Sequence, residues 1–296
     1  MAFLMIGMSS TWMATRGLGI RQSIERCFEL GFGLVEVGAG HKYEPDAVGT
    51  VIELHKKHPD MLFTVHALFP PVQKSYAMNI ADAKEHARIV GAVSGMFGLA
   101  KDIGADVVGL HGGYCGHVGW GEAGRGGFKE LVMEGGMTRE KAMTGMLVVL
   151  ERLVAIAEDA GVKLALEIAP DGAWNPIPKT PNEFDEVFSR FGSKMFGLLL
   201  DVGHLHRTAA ANGYDPYDFT ALFKDRVFEV HLHDIVDGED HHAVGTGEID
   251  FARHFKIIGR ERLESIPLVF EYTNLVDEAA ALHGKERIEK IMESLK

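Results

Sequence analysis

Eight short runs of apolar and β-branched residues recur along the chain: FLMIGMS (3–9), LVEVG (34–38), LFTVHA (62–67), VVGLHGG (107–113), KLALEIA (163–169), FGLLLDVG (196–203), VFEVHLHD (227–234) and PLVFEYT (267–273). Their apolar character is nearly continuous, as in strands covered on both faces of a parallel sheet. Helical periodicity fills the gaps. RQSIERCFELGF sets Ile24, Cys27, Phe28 and Leu30 on one face, and the segments 79–104, 138–161 and 277–295 read as longer helices. Gly31, Gly104 and Gly161 stand where helices should stop before the next strand. Eight strand–helix units without a linker or low-complexity tract predict one α/β domain over residues 1–296, a single (β/α)8 TIM barrel. A doubly wound open sheet is the alternative, but no G-x-G-x-x-G follows the first strand.

In such a barrel, chemistry gathers at the C-terminal ends of the strands. The polar residues of this chain fall there. His66 ends the third strand, His111 the fourth, Glu167 the fifth, Asp201 the sixth with His204 following, and Glu271 the eighth. The seventh carries His231 and His233, then a loop with Glu239, Asp240, His241 and His242; the second contributes Glu36. A single strand-end histidine is ordinarily a hydrogen-bonded structural residue. Glu167, Asp201 and Glu271 sit in apolar runs where an unpaired carboxylate is costly, so each calls for a cation, a metal or a proton. Six consecutive strands ending in His, Asp or Glu make a set suited to Zn2+, Mn2+ or a similar divalent ion. Cys115, near His111, reads as a bystander.

Net charge is −12 over 296 residues, which gives no general attraction to a phosphate backbone. Two cysteines make no disulfide framework, so a reducing cytoplasm is expected. The N-terminus lacks a basic segment before its short apolar run, and no stretch of about 18 apolar residues predicts a membrane span.

Asp201-x-x-His204, and His231-x-x-Asp234 with the later His241-x-x-x-Gly245-x-Gly247, resemble motifs of the xylose-isomerase-like barrels. That superfamily joins sugar isomerases and epimerases to the endonuclease IV type of abasic-site enzymes (AP endonuclease family 2). The resemblance runs from GFGLVEVG through LFTVHALF, VKLALEIAPDG and GLLLDVGHLHR to PLVFEYT. It implies a mononuclear metal site of Glu167, Asp201, His231 and Glu271, with Glu167 and Glu271 also acting as proton donor and acceptor. The three-metal pattern adds His66, His111, His204 and an acid-x-His pair, aligned here as Glu239 and His241; Asp240 with His242 is the one-residue shift. One to three divalent ions per chain follow.

Two chemistries therefore compete. The first is a sugar or sugar-phosphate isomerase or epimerase that moves a proton through a metal-stabilised enediolate, with Glu36, His233, His204 or Trp12 near a small carbohydrate substrate. Ketose epimerases carry an arginine where this chain has Asp237. The second is a zinc phosphoesterase of endonuclease IV type, with Glu167 bridging metals. DNA would require loop cations and aromatics such as Trp12 with Arg16, Lys42 with Tyr43, Phe69 with Lys74, and Trp120 with Arg125. The glycine-rich GYCGHVGWGEAGRGG reads as a loop able to close over substrate. A barrel keeping metal for stability alone needs four ligands rather than so many. Sequence places the isomerase ahead.

Overall fold

The computed structural model describes residues 4–74, 76–123, 129–172 and 174–295. Strands β1 (Ile6–Ser9), β2 (Leu34–Val37), β3 (Leu62–His66), β4 (Val107–His111), β5 (Lys163–Glu167), β6 (Phe196–Asp201), β7 (Val227–Leu232) and β8 (Leu268–Phe270) are neighbours in chain order. β8 returns to β1 and closes an all-parallel barrel. Each strand lies within its predicted run.

Helices cover the outer face, and their ends follow local chemistry. Arg139–Ala160 starts at Thr138, whose hydroxyl accepts from Lys141 N, and stops at Gly161 with φ +68°. Pro181–Arg190 opens on a capping box of Thr180 and Glu183. Gly31 and Gly104 likewise take positive φ at their helix ends. The predicted 79–104 helix is shorter, at His86–Asp102. Its missing first turns are taken by side chains that hold the backbone otherwise: Asn79 Oδ1 accepts from Ala81 N, and Asp82 Oδ1 from Lys84 N. Asn79 also reaches across to Tyr114 and Gly116. The glycine-rich segment after β4 is not a simple loop. Gly116–Ala123 pairs antiparallel with Lys129–Gly136.

The main apolar core lies between barrel and helices, whereas Val107, Ala165, Leu199 and Phe228 form a separate small cluster. The barrel interior above that cluster is polar. Hydrogen bonds between non-adjacent strands cross it: Thr64 of β3 to Glu229 of β7, and His231 of β7 to Glu36 of β2. Gly109 makes room there, since a Cβ would stand 2.7 Å from both His66 Cδ2 and Leu199 Cδ1.

Candidate metal centre

Period-two geometry turns Glu229 and His231 of β7 to the barrel interior. The same alternation in β5 and β6 presents Glu167 and Asp201 at the C-terminal mouth. Donor atoms of Glu167, Asp201, His231 and Glu271 all lie within 4.8 Å of one another, and all four residues are buried. His231 Nδ1 faces this group, 3.4 Å from Glu271 Oε2, 3.7 Å from Asp201 and 3.8 Å from Glu167. Among the described residues, neither His231 Nδ1 nor Glu271 Oε2 has a hydrogen-bond partner. Buried atoms of this kind are costly unless a cation or proton stands among them.

A second group shares Glu167. His66 Nε2 lies 2.7 Å and His111 Nδ1 3.1 Å from Glu167 Oε2. His204 Nδ1 approaches the other oxygen at 3.2 Å. Burial alone would lower His66, but the Glu167 and Glu36 carboxylates outweigh it and lift it to about 9. His204, also drawn down by burial, is raised to about 10 by Asp201 and Glu167. Burial pushes Glu167 up, yet His111 and His66 bring it well below the usual carboxylate range. Glu271 is likewise raised by burial and brought well below that range by His231. Burial lowers His111 and His241.

The third predicted position is only half assembled. His241, at φ +59°, enters a set with His204, His233 and Glu271. His233 is already committed, however. Its Nδ1 accepts from His241 N at 2.9 Å, so its proton sits on Nε2 and goes to Asp201, 3.0 Å away. Glu239 is exposed and outside the group. Asp240, the shifted candidate, is held by Arg207 Nη1 at 2.5 Å. The acid expected beside His241 is thus absent from the cluster, because the antiparallel pairing of Asp234–Val236 with Glu239–His242 turns Glu239 outward.

Three predicted substrate contacts have partners within the protein. Trp12 is fully buried and donates Nε1–H to Val276 O. Glu36, also buried, spends Oε2 on His231 Nε2 at 2.9 Å. His233 braces Asp201. Among the aromatics considered for DNA, Trp12 and Phe69 are enclosed, whereas Tyr43 and Trp120 are exposed; Arg125 lies outside the described residues. Cys115 is buried and free, apart from the donor groups.

Sequence inspection does not single out Glu229. It stands two residues before His231, and that alternation was the available signal. Burial and neighbouring Glu36 push its carboxyl up to about 8.

Asp234 explains the strand-seven motif. Its Oδ1 accepts from Ile235 N and Ile249 N, and its Oδ2 from Gly245 N and Gly247 N, at 2.9–3.1 Å. The aspartate and the glycines therefore close the loop that carries His241.

A family model for the xylose isomerase-like TIM barrel matches residues 24–296. The chain belongs to this family. Uncharacterized protein MJ1311 of Methanocaldococcus jannaschii is 25% identical to it over 92% of this chain and 90% of its own. Among solved structures, a D-tagatose 3-epimerase-like protein superposes with TM-score 0.73 at 22% identity, covering 98% of this chain and 97% of that one. An L-ribulose 3-epimerase gives 0.71 at 20%, over 99% and 95%. An IolI protein described with a bound zinc atom gives 0.71 at 18%, over 99% of each chain. The xylose isomerase-like fold of this chain is thus shared with sugar epimerases. Among the described residues, no helix is long and apolar enough to cross a membrane.

Proposed function

We propose that the protein is a divalent-metal-dependent isomerase or epimerase acting on a small sugar or sugar phosphate. One observation carries this reading. Glu167, Asp201, His231 and Glu271 converge as four buried donors, with His231 Nδ1 and Glu271 Oε2 lacking any other partner among the described residues. Three carboxylates with one imidazole fit Zn2+ or Mn2+. A divalent ion held by these four would supply Lewis acidity that makes a hydrogen beside a sugar carbonyl easier to remove.

The protein's own residues would do the rest. Glu167 ends β5 and Glu271 directly follows β8, with β6 and β7 between those strands, so they can address one carbon from different sides. One takes a proton from the carbon next to the carbonyl, and the other returns one. Neighbouring histidines hold both carboxyls low, so the one that takes the proton is a weak base and the substrate hydrogen must be acidified. The one that returns a proton must enter the reaction protonated. His204, beside Glu167 Oε1, can hold a substrate hydroxyl. The epimerase names of the structural relatives support the same reaction class.

The test is deuterium uptake from D2O at the carbon beside the carbonyl, measured on ketoses and ketose phosphates with Mn2+- or Zn2+-loaded protein. Glu167→Gln and Glu271→Gln should retain metal and lose exchange by about 10²–10⁴-fold. Absence of exchange across the panel would reject the reading.

A second reading, metal-dependent phosphodiester hydrolysis of endonuclease IV type, is favoured by the His66, His111 and Glu167 group. Glu167, which belongs to both donor groups, would then help hold two ions that activate water against a phosphodiester. The exposed Glu239 and the burial of Trp12 and Phe69 weigh against it. Cleavage of bis(4-nitrophenyl) phosphate or abasic-site DNA, without ketose exchange, would favour it.

A further inference from the structure

Two buried oxygens outside the four-donor group of Glu167, Asp201, His231 and Glu271 lie on the β1–β2 side of the barrel. Among the described residues, Ser9 Oγ and Glu36 Oε1 are enclosed without a hydrogen-bond partner. The two residues are register partners on adjacent strands. Both face Gly38. A Cβ there would stand 2.9 Å from Thr11 Oγ1, 3.3 Å from Ser9 Oγ and 3.6 Å from Glu36 Oε1. Thr11 gives its hydroxyl proton to Ala39 O and keeps an acceptor lone pair on the same side. The other oxygen of Glu36 is occupied, since His231 Nε2 donates to Oε2 at 2.9 Å. That bond spans from β2 to β7 and leaves Nδ1 as the ring nitrogen facing Glu167, Asp201 and Glu271.

We infer that Glu36 is a positioning residue for His231, held in place through one buried water shared by Glu36 Oε1 and Ser9 Oγ beside Gly38. The inference rests on the reading of the four-donor group as a divalent-ion site. A carboxylate with one enclosed, unpaired oxygen is costly, and a water needs two to four polar partners to be held. Here Ser9 can donate to the water, which in turn donates to Glu36 Oε1 and toward Thr11 Oγ1. Ser9 Oγ and Glu36 Oε1 then both have a partner. The anchored carboxylate fixes the ring orientation of His231 and raises the basicity of Nδ1, as carboxylates behind metal-binding imidazoles do. Glycine at 38 keeps a side chain out of the space between these oxygens.

The experiment is zinc affinity of the full chain by competition with a chromophoric chelator, together with the visible spectrum of the cobalt-loaded protein. Glu36→Ala should weaken zinc by about 10–100-fold and shift the cobalt bands. Glu36→Gln, whose amide oxygen still accepts from Nε2–H, should recover part of the affinity. Ser9→Ala, which leaves the Glu36–His231 bond intact, should weaken zinc by a few-fold, and a high-resolution structure should contain the water in the wild type and lack it in this variant. Melting of the metal-free proteins reports folding; where Glu36→Ala does not fold, Glu36→Gln and Ser9→Ala decide. Zinc affinity and cobalt bands unchanged in every folded variant would overturn the inference while the four-donor reading stands. A wild-type chain that binds neither zinc nor cobalt removes both.

Discussion

His66 turns Nε2 to Glu167 Oε2 at 2.7 Å while its Nδ1 lies 3.0 Å from the Ala67 carbonyl. A carbonyl only accepts, so one ring proton belongs on Nδ1 and the Nε2 lone pair faces an anion. Such an approach requires a proton or a cation between the two. His111 Nδ1 turns to the same oxygen and has no hydrogen bond of its own.

We therefore expect a second, weaker zinc equivalent beyond the one held by the four donors. Elemental analysis of protein equilibrated with zinc should give about one ion fewer per chain in His66→Ala and in His111→Ala. Glu239→Ala should leave the count unchanged, because that side chain is exposed and outside the donor groups. Equal metal content in wild type and both histidine variants would show that a proton, not a cation, fills the gap between His66 and Glu167.

Gly203 and His233 set the support of Asp201. A Cβ at 203 would lie 2.0 Å from His233 Cε1 and 2.3 Å from its Nδ1. Gly203→Ala should thus push the ring away from Asp201 and from His241 N, two contacts that it makes at once. The expected cost is about 1–3 kcal/mol in the metal-free protein. Zinc affinity should fall as well, since Asp201 loses its fixed orientation. Urea unfolding and zinc competition on the same variant read the two effects separately.

The barrel was legible because it depends on patterns that sequence carries directly: eight apolar runs, helix-ending glycines and ligand-type residues at strand ends. Glu167, Asp201 and Glu271 stood out as costly carboxylates in apolar strands, and the resemblance of the strand-seven motif added His231 to them. Contacts between distant segments were not. The choice of Glu239 or Asp240 depends on hairpin register and on an ion pair with Arg207. Glu36 looked available to substrate because sequence does not reveal that β2 and β7 meet across the interior. Trp12 looked like a loop aromatic, yet it is packed against Tyr272 and bonded to Val276 O, more than 200 positions away in the chain. The antiparallel pair after β4 was hidden by its glycines, which favour neither strand nor helix.

Asp234 is the residue on which the motif after β7 depends most. It is fully buried, and four backbone N–H groups converge on its carboxylate. Asp234→Ala would leave those donors enclosed without partners, at a cost of about 3–5 kcal/mol. Asp234→Asn retains one carbonyl oxygen but sets an N–H against backbone donors, so it should be destabilising too, by less. Differential scanning calorimetry of the metal-free variants checks the order. Near wild-type stability in Asp234→Ala would mean that the loop carrying His241 is closed by something other than this carboxylate.

Acid should loosen the protein through a second pair of histidines away from the donor groups. Thr220 gives its hydroxyl proton to Pro216 O, so His254 Nδ1–H donates to Thr220 Oγ1. His254 Nε2 is then an acceptor, and His206 Nε2–H donates to it at 2.9 Å. Protonating His254 would set two N–H groups against each other. Burial lowers His206 to about 4, with Asp234 and Asp215 opposing, and lowers His254 to about 3, with His206 and Arg253 adding to it. Tyr217 packs against both rings and carries Arg253 over its face. Both histidines are neutral in the folded protein at pH 5, whereas in the unfolded chain they bind protons below about 6.5. Their contribution is therefore intact above that pH and falls as pH drops, by up to about 1.4 kcal/mol per pH unit for each. Urea midpoints in chelator between pH 7.5 and 4.5 measure it. His254→Gln keeps an acceptor for His206 and cannot titrate, so it should lose less stability over this range than the wild type. Equal losses in the two proteins would exclude this pair as a source of acid sensitivity.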